Sequence, residues 1–429
     1  MQISSKYLVL LLTLVILSSA KGNVKSARIV YGEDNRIETY NATKFQKRLA
    51  KSTAGMFKNL DLVSFGQFAM MPPKPISDSW ELCSDERFSK QPSAALCSGF
   101  LVGPDLLVTA GHCIINQEAC DGATWVFDYK VNKKTNRTNI IIPNKNIYKC
   151  SKVIEAIQVN LESGNKRDFS LIKLDRVVVD RAPLTYRTTG KVSKKTEMLV
   201  IGHPSGLPQK IAGNGYIFDN TLESTFKTNL DTFGGNSGSA VFDAKSGQVE
   251  GILVRGAKDY NEADCGIRVN KVVEDIQDKD NLGEWVSRIT DIPTLVKTKQ
   301  LIAASKVGNL KQVELLSSEL RTINLYDNAK NNALHIAIKN GHNDIVDLLI
   351  NKKININAQN LKGETPLHMA AFVNNHYVAD LLVEKGANIL IKDNFGAYAS
   401  ERTNYFAFRL RSKLRRNQEK EIKRRKEKK

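Results

Sequence analysis

"CSGFLVGPDLLVTAGHC", residues Cys97–Cys113, is the stretch whose reading decides the fold. Its apolar residues fall in two short runs, Phe100–Val102 and Leu106–Val108, parted by Gly103, Pro104 and Asp105. Gly-Pro-Asp supplies turn geometry and cannot continue a strand or helix. The two runs therefore read as the strands of a hairpin. A hairpin of this length can bring its ends, Cys97 and Cys113, within disulfide range. The bridge would hold His112 rigidly against the neighbouring strand. A general base needs such rigidity, because small misplacements cost large factors in rate. The competing reading of a lone histidine is a satisfied core residue.

The same texture extends from Asn23 to about Asp291. "TWVFDYKV", "FSLIKLDRV", "EMLVIGHPSG" and "SAVFDAKSGQVEGILV" are short apolar or alternating runs broken by Gly, Pro and Asn. This is an all-β pattern, and its length suits two packed barrels better than one. One segment stands out, "NLDTFGGNSGSAVF", Asn229–Phe242. It is either a glycine-rich hairpin or a loop that fixes Ser237 in a special backbone geometry.

"TAGHC", "RDFSLIKL" and "GGNSGSAVF" follow one another in the order His, Asp, Ser. Together they resemble the trypsin-like serine endopeptidases. "VYGEDNR", Val30–Arg36, and the asparagine before the serine look like the bacterial glutamyl-endopeptidase-like branch. The resemblance covers roughly Ile29 to Thr290. It implies Ser237 as nucleophile, His112 as its base and Asp168 as the group that orients the imidazole. Asp128 and Asp175 are rivals that fall outside the family pattern. Gly235 and Ser237 would give the backbone N–H donors of an oxyanion hole, Gly235 having no Cβ to obstruct the backbone.

The resemblance also places substrate-binding residues. Asp231 stands at the base of the pocket for the residue before the scissile bond, where an aspartate implies Arg or Lys. Leu253 stands where glutamate-specific members carry a histidine. Gly256 is expected to leave the pocket wall open to a long side chain, while Arg255 could reach Asp231 or favour acidic substrates. A basic substrate residue is the expectation. Cleavage between Arg28 and Ile29 would free an amine, but its partner in the trypsins is replaced by uncharged Asn236, so that switch is expected to be absent or weak. No metal or cofactor is implied, and His203 reads as structural. Sequons at Asn41 and Asn136 matter only if the host glycosylates.

The chain has 429 residues, enough for two or three domains, and its 41% apolar share excludes a disordered chain. The start, "MQISSKYLVLLLTLVILSSAKG", has Lys6, an apolar core from Tyr7 to Leu17, and small Ser18 and Ala20. It reads as a secretory signal peptide over residues 1–20, with residues 21–28 as a short propeptide. An uncleaved anchor would call for a longer apolar run. No later segment is long and apolar enough to span a bilayer. The expected location is secreted or periplasmic, where the six cysteines can pair. Cys83, Cys120, Cys150 and Cys265 leave their pairing open.

Beyond Cys265 there is no cysteine, and a repeat begins. "ALHIAIKNGHNDIVDLLINKKININAQN" from Ala333 and "PLHMAAFVNNHYVADLLVEKGANILIKD" from Pro366 share Leu, His, Ala and Leu-Leu positions at a fixed period. "LIAASKVGNLKQVELLSS" places Leu301, Ala304, Gly308, Val313, Leu315 and Leu316 one period earlier. With "TPLHMA" at Thr365–Ala370, this resembles the ankyrin repeat. Each unit of two short helices can bury its apolar positions only by stacking. His335 and His368 are expected to bond loop backbone, not metal. "GAYASERTNYFAFRLRSKL", from Gly396, reads as a cap.

The net charge of +18 is concentrated partly in "RLRSKLRRNQEKEIKRRKEKK", read as a solvated helix or a disordered tail. No nucleic-acid motif accompanies it. The expected architecture is a multidomain chain: an all-β double β-barrel, residues 29–291, then an all-α ankyrin solenoid, 293–415, and a basic tail, 416–429. The expected function is a secreted serine endopeptidase acting on proteins or peptides, with a protein partner on the repeats. The alternative is a catalytically dead protease fold that serves as a binding scaffold.

Overall fold

The structure is a computed structural model that describes residues 30–31, 34–71, 74–160, 166–256, 259–269, 271–272, 283–403 and 408–427. The expected signal peptide and the expected cleavage between Arg28 and Ile29 lie outside the described residues. Among the described residues, no helix is long and apolar enough to cross a membrane.

Two closed six-stranded antiparallel barrels form the first part. Strands β1 (Thr53–Lys58), β2 (Cys97–Gly103), β3 (Leu106–Thr109), β4 (Ala123–Phe127), β5 (Ile147–Asn160) and β6 (Lys166–Leu174) close in the order β5-β6-β3-β2-β1-β4. Strands β7 (Glu197–Gly202), β8 (Lys210–Asp219), β9 (Thr225–Thr228), β10 (Ala240–Asp243), β11 (Val249–Arg255) and β12 (Glu284–Arg288) close as β7-β10-β11-β12-β9-β8, and Ile37–Glu38 is added outside β8. The expected hairpin is present: Phe100 pairs with Val108 and Leu101 with Leu107, across a turn at Pro104–Asp105.

The apolar runs are uninterrupted because these strands are buried on both faces. In β6, Phe169 and Leu171 join the core between the barrels, while Ile172 and Leu174 fill the first barrel. β3 divides likewise, with Leu106 and Val108 between the barrels and Leu107 inside. Successive strand residues point to opposite faces, so each face recruits every second residue. Three disulfides tie the barrels: Cys97–Cys113, Cys120–Cys150 and Cys83–Cys265. The last joins segments 182 residues apart.

Helix pairs follow: α1 (Pro293–Val307) with α2 (Leu310–Glu319), α3 (Ala333–Lys339) with α4 (Asn343–Asn351), and α5 (Pro366–Phe372) with α6 (His376–Glu384). They share one apolar core, including Leu301, Val313, Leu334, Ile345, Leu349, Leu367 and Leu382. Asn332 and Thr365 cap α3 and α5 by accepting the His335 and His368 N–H groups. His335 Nε2 donates to the Glu364 carbonyl at 3.1 Å, and His368 Nε2 to the Ala397 carbonyl at 3.2 Å. Each histidine thus bonds a backbone carbonyl 29 residues further along. Burial pushes His335 down to about 4 and also lowers His368, which suits neutral rings that bond backbone.

The cap and the basic tail are not separate pieces. Helix α7 (Phe408–Glu427) runs through the expected boundary at 415/416. Its Leu414 enters the repeat core, and its Gln418 accepts the Ser400 hydroxyl at 2.8 Å. Past that anchor the helix is mostly exposed, held by ion pairs such as Arg425–Glu421.

The repeats are not loosely tethered. β12 ends at Arg288 and α1 starts at Pro293. Ile289, Ile292, Leu295 and Leu325 lie in the same core as Phe100, Phe169, Leu199 and Phe242, so α1 completes the seam between the barrels. Around that seam, the Thr294 N–H donates to Glu155 at 3.2 Å and Arg167 Nε donates to Asp291 at 2.8 Å. The Tyr326 hydroxyl donates to Asp105, and Lys330 pairs with the same carboxylate at 3.3 Å.

Candidate active site

The site lies where the two barrels meet. His112 follows β3 and sits in a turn held by the Cys97–Cys113 bridge. Asp168 stands near the start of β6, which pairs with β3. Its carboxylate grips His112 twice: Oδ2 accepts Nδ1–H at 2.7 Å, and Oδ1 accepts the backbone N–H at 3.0 Å. Two bonds fix both the tautomer and the ring orientation, leaving Nε2 for other work. The rivals are engaged elsewhere. Asp128 pairs with Lys130 and Arg181, and Asp175 with Arg176.

Gly111 makes this approach feasible. A Cβ there would lie 2.1 Å from the Ile157 carbonyl oxygen and 3.0 Å from Asp168 Oδ1. Any side chain would strike the β5 backbone at Ile157 and crowd the Asp168 carboxylate.

Ser237 comes from the loop before β10 and is half-buried. Its carbonyl accepts the Ser98 N–H at 2.8 Å, and the Cys113 sulfur lies 3.8 Å from the same oxygen. That sulfur is in a disulfide and has no proton, so this is a packing contact. It brings the serine loop against the bridge beside His112. Gly235 adopts φ +85°, and a Cβ there would meet the His203 carbonyl oxygen and the Gly206 nitrogen, each at 2.7 Å. Only glycine meets both demands. Its carbonyl accepts the Ser98 hydroxyl at 2.9 Å. Among the described residues, neither the Gly235 N–H nor the Ser237 N–H donates to a protein acceptor. Asn236 is buried and accepts the Ser239 hydroxyl at 3.3 Å.

The expected pocket residues fare differently. Asp231 is 1% exposed and accepts the Asn35 N–H at 3.0 Å, so it also anchors the amino-terminal segment. Leu253 packs into the second barrel's interior at 2% exposure. Gly256 corrects an expectation. The space beside it is not open, since a Cβ there would lie 2.2 Å from Glu284 Oε2. Glu284 is buried and accepts the Thr232 hydroxyl, so a carboxylate fills the place assigned to a long side chain. Arg255 does not reach Asp231; its guanidinium lies 5.4 Å from the centre of the Trp285 ring.

Three contributors escaped the sequence reading. Ser98 braces both ends of the serine loop and bonds the His203 N–H at 3.0 Å through its hydroxyl. Asp259 accepts the Gly234 N–H at 2.6 Å, and burial raises its carboxyl to about 6. Trp285 lines a cleft of about 530 Å³ with His112, Asp168, Lys166 and Arg255. Ser98 stands inside the Cys97–Cys113 stretch but carries no local sign of this role, and Asp259 and Trp285 lie outside the quoted motifs; tertiary closure assembles all three. His203, by contrast, is buried as expected, donates to the Leu207 carbonyl at 3.0 Å, and is pushed down to about 4 by burial.

Comparison with known proteins agrees with this geometry. Residues 97–252 match the trypsin-like peptidase domain, and residues 301–393 match ankyrin repeats in three copies. Over 211 residues the chain is 27% identical to a glutamyl endopeptidase of Bacillus licheniformis, an alignment spanning 45% of this chain and 60% of that protein. The matched part is thus under two thirds of the relative's length. The chain joins a trypsin-like peptidase domain to a run of ankyrin repeats.

Proposed function

We propose that this chain is a secreted serine endopeptidase whose ankyrin repeats bind a protein partner. The observation that carries the reading is the pair of hydrogen bonds that His112 donates to Asp168, at 2.7 and 3.0 Å. It fixes one tautomer and points Nε2 away from the acid. Ser237 Oγ attacks the scissile carbonyl as His112 Nε2 takes its proton, and Asp168 stabilises the resulting imidazolium. The oxyanion of the tetrahedral intermediate takes hydrogen bonds from the Gly235 and Ser237 N–H groups. His112 returns the proton to the leaving amine, and water then releases the acyl group by the same steps reversed. Protein or peptide substrates are the class proposed, with Asp231 favouring a basic residue before the bond and the buried Glu284 beside Gly256 narrowing the space for it. Three disulfides support an exported location.

Labelling by a serine-directed fluorophosphonate tests the chemistry. The wild type should label stoichiometrically and Ser237→Ala should not. Absence of wild-type labelling would sink the reading. Cleavage of a peptide library after Glu or Leu instead of Lys or Arg would sink the specificity proposed.

A further inference from the structure

The cleft beside His112 carries a concentration of positive charge that the proposed chemistry does not use. Lys166 opens the strand that bears Asp168, and Arg255 ends β11; both line the cleft. Lys166 Nζ lies 5.5 Å from the Trp285 ring centre, Lys227 Nζ 4.4 Å and the Arg255 guanidinium 5.4 Å. Three cations therefore converge on one indole. Two nearby carboxylates are committed elsewhere, Asp168 to His112 and Asp291 to Arg167, while Asp219 lies within Coulombic reach of Lys227. Among the described residues, Lys166 and Arg255 make no ion pair. Burial, Arg255 and Lys227 all act against the Lys166 charge. Stacking on Trp285 offsets part of this repulsion. Grouped like charges on a concave wall focus a field that attracts an anion.

Their position narrows the anion. Asp231 and Gly256 are the residues assigned to the pocket for the residue before the scissile bond. Arg255 directly precedes Gly256, and neighbouring strand residues face opposite ways. The cluster shares its cleft with His112 and Asp168, so a substrate placed for attack passes it. We propose that Lys166, Arg255 and Trp285 form a second recognition site for a carboxylate side chain of the substrate, roughly two to four residues before the scissile bond. The proposal rests on the endopeptidase reading. The substrate class is then a peptide that pairs a residue fitted to the first pocket with an acidic residue upstream.

The test uses full-length mature protein titrated with fluorophosphonate. A library of internally quenched peptides first fixes the residue at the bond. Pairs differing only by Glu or Gln at each upstream position are then compared by kcat/KM. Glu should win by roughly tenfold at one or two of these positions, less so in high salt. The Lys166→Gln/Arg255→Gln variant should bring the Glu/Gln ratio near one. The Lys166→Glu/Arg255→Glu variant, checked for labelling and melting temperature, should prefer Lys over Gln there. A wild-type ratio near one, a ratio unmoved by the variants, or an acid preference only on the leaving-group side overturns the proposal. Failure of the wild type to label overturns the endopeptidase reading and the site with it.

Discussion

In the barrels a residue's decisive partners lie far along the chain, and in the repeats they lie about one repeat away. Ser98 braces Gly235 across 137 residues, and Cys83 bridges Cys265 across 182. In the repeats His335 bonds Glu364 across 29 residues, and Asn355 bonds Asn324 across 31. Closed barrels with non-local partners fix a few atoms very exactly in space, as chemistry requires, but they need covalent ties and complete closure. Stacked repeats stand on nearest-neighbour terms and tolerate local loss.

Four measurements bear on that contrast. The largest effect should follow Asp168→Asn, which leaves the shape but permits the wrong imidazole tautomer. Peptidase kcat should fall about 10⁴-fold, while helical circular dichroism and the repeat transition stay put. Next, removing the Cys83–Cys265 bridge by paired alanines should cost the barrels about 2–5 kcal/mol. Urea unfolding should then show the barrel transition moving below the helical one. Third, Leu349→Ala in the repeat core should cost about 2–4 kcal/mol. Helical signal should melt early, with fluorophosphonate labelling intact below that point. Loss of labelling along with the helices would show that the shared seam, not the repeat stack, governs stability.

The smallest effect is one the two regions share. His203 in the barrels and His335 in the repeats are both held down to about 4 by burial. A depressed histidine favours the unfolded chain once protons bind. Stability is therefore complete above the unfolded value of about 6.5 and declines as pH falls toward 4. At pH 5.5 each should cost about 1 kcal/mol. Thermal melts at pH 7.5 and 5.5 should show this loss, and His335→Gln should lessen it for the repeat transition alone, the buried His368 keeping a share.

The sequence disclosed what is local or periodic. Each reacting group sits inside a short motif, since turn chemistry and strand pattern surround His112, Asp168 and Ser237. The repeats announce themselves through spacing. What stayed hidden is what closure creates. Nothing near Gly256 signals that Glu284 occupies its flank, because strands β11 and β12 meet only in the folded barrel. The Cys83–Cys265 and Cys120–Cys150 pairings were open for the same reason. Likewise, Asp105 looked like a turn residue, yet it also receives Tyr326 from across the seam, 221 residues away.

That seam gives the array a polarity of change. Helix α1 completes the core between the barrels, whereas, among the described side chains, α7 closes the far end through Leu414 and a few polar contacts. Among the described residues, the side chains that join the repeats to the barrels run from Ile292 to Lys330, so repeats beyond Lys330 can be duplicated, lost or exchanged without disturbing the double barrel. Insertion at the near end would reopen its core. Lineages descended from such a chain would therefore vary in array length and partner from the outer end inward, with the first helix pair inherited alongside the barrels as a single unit.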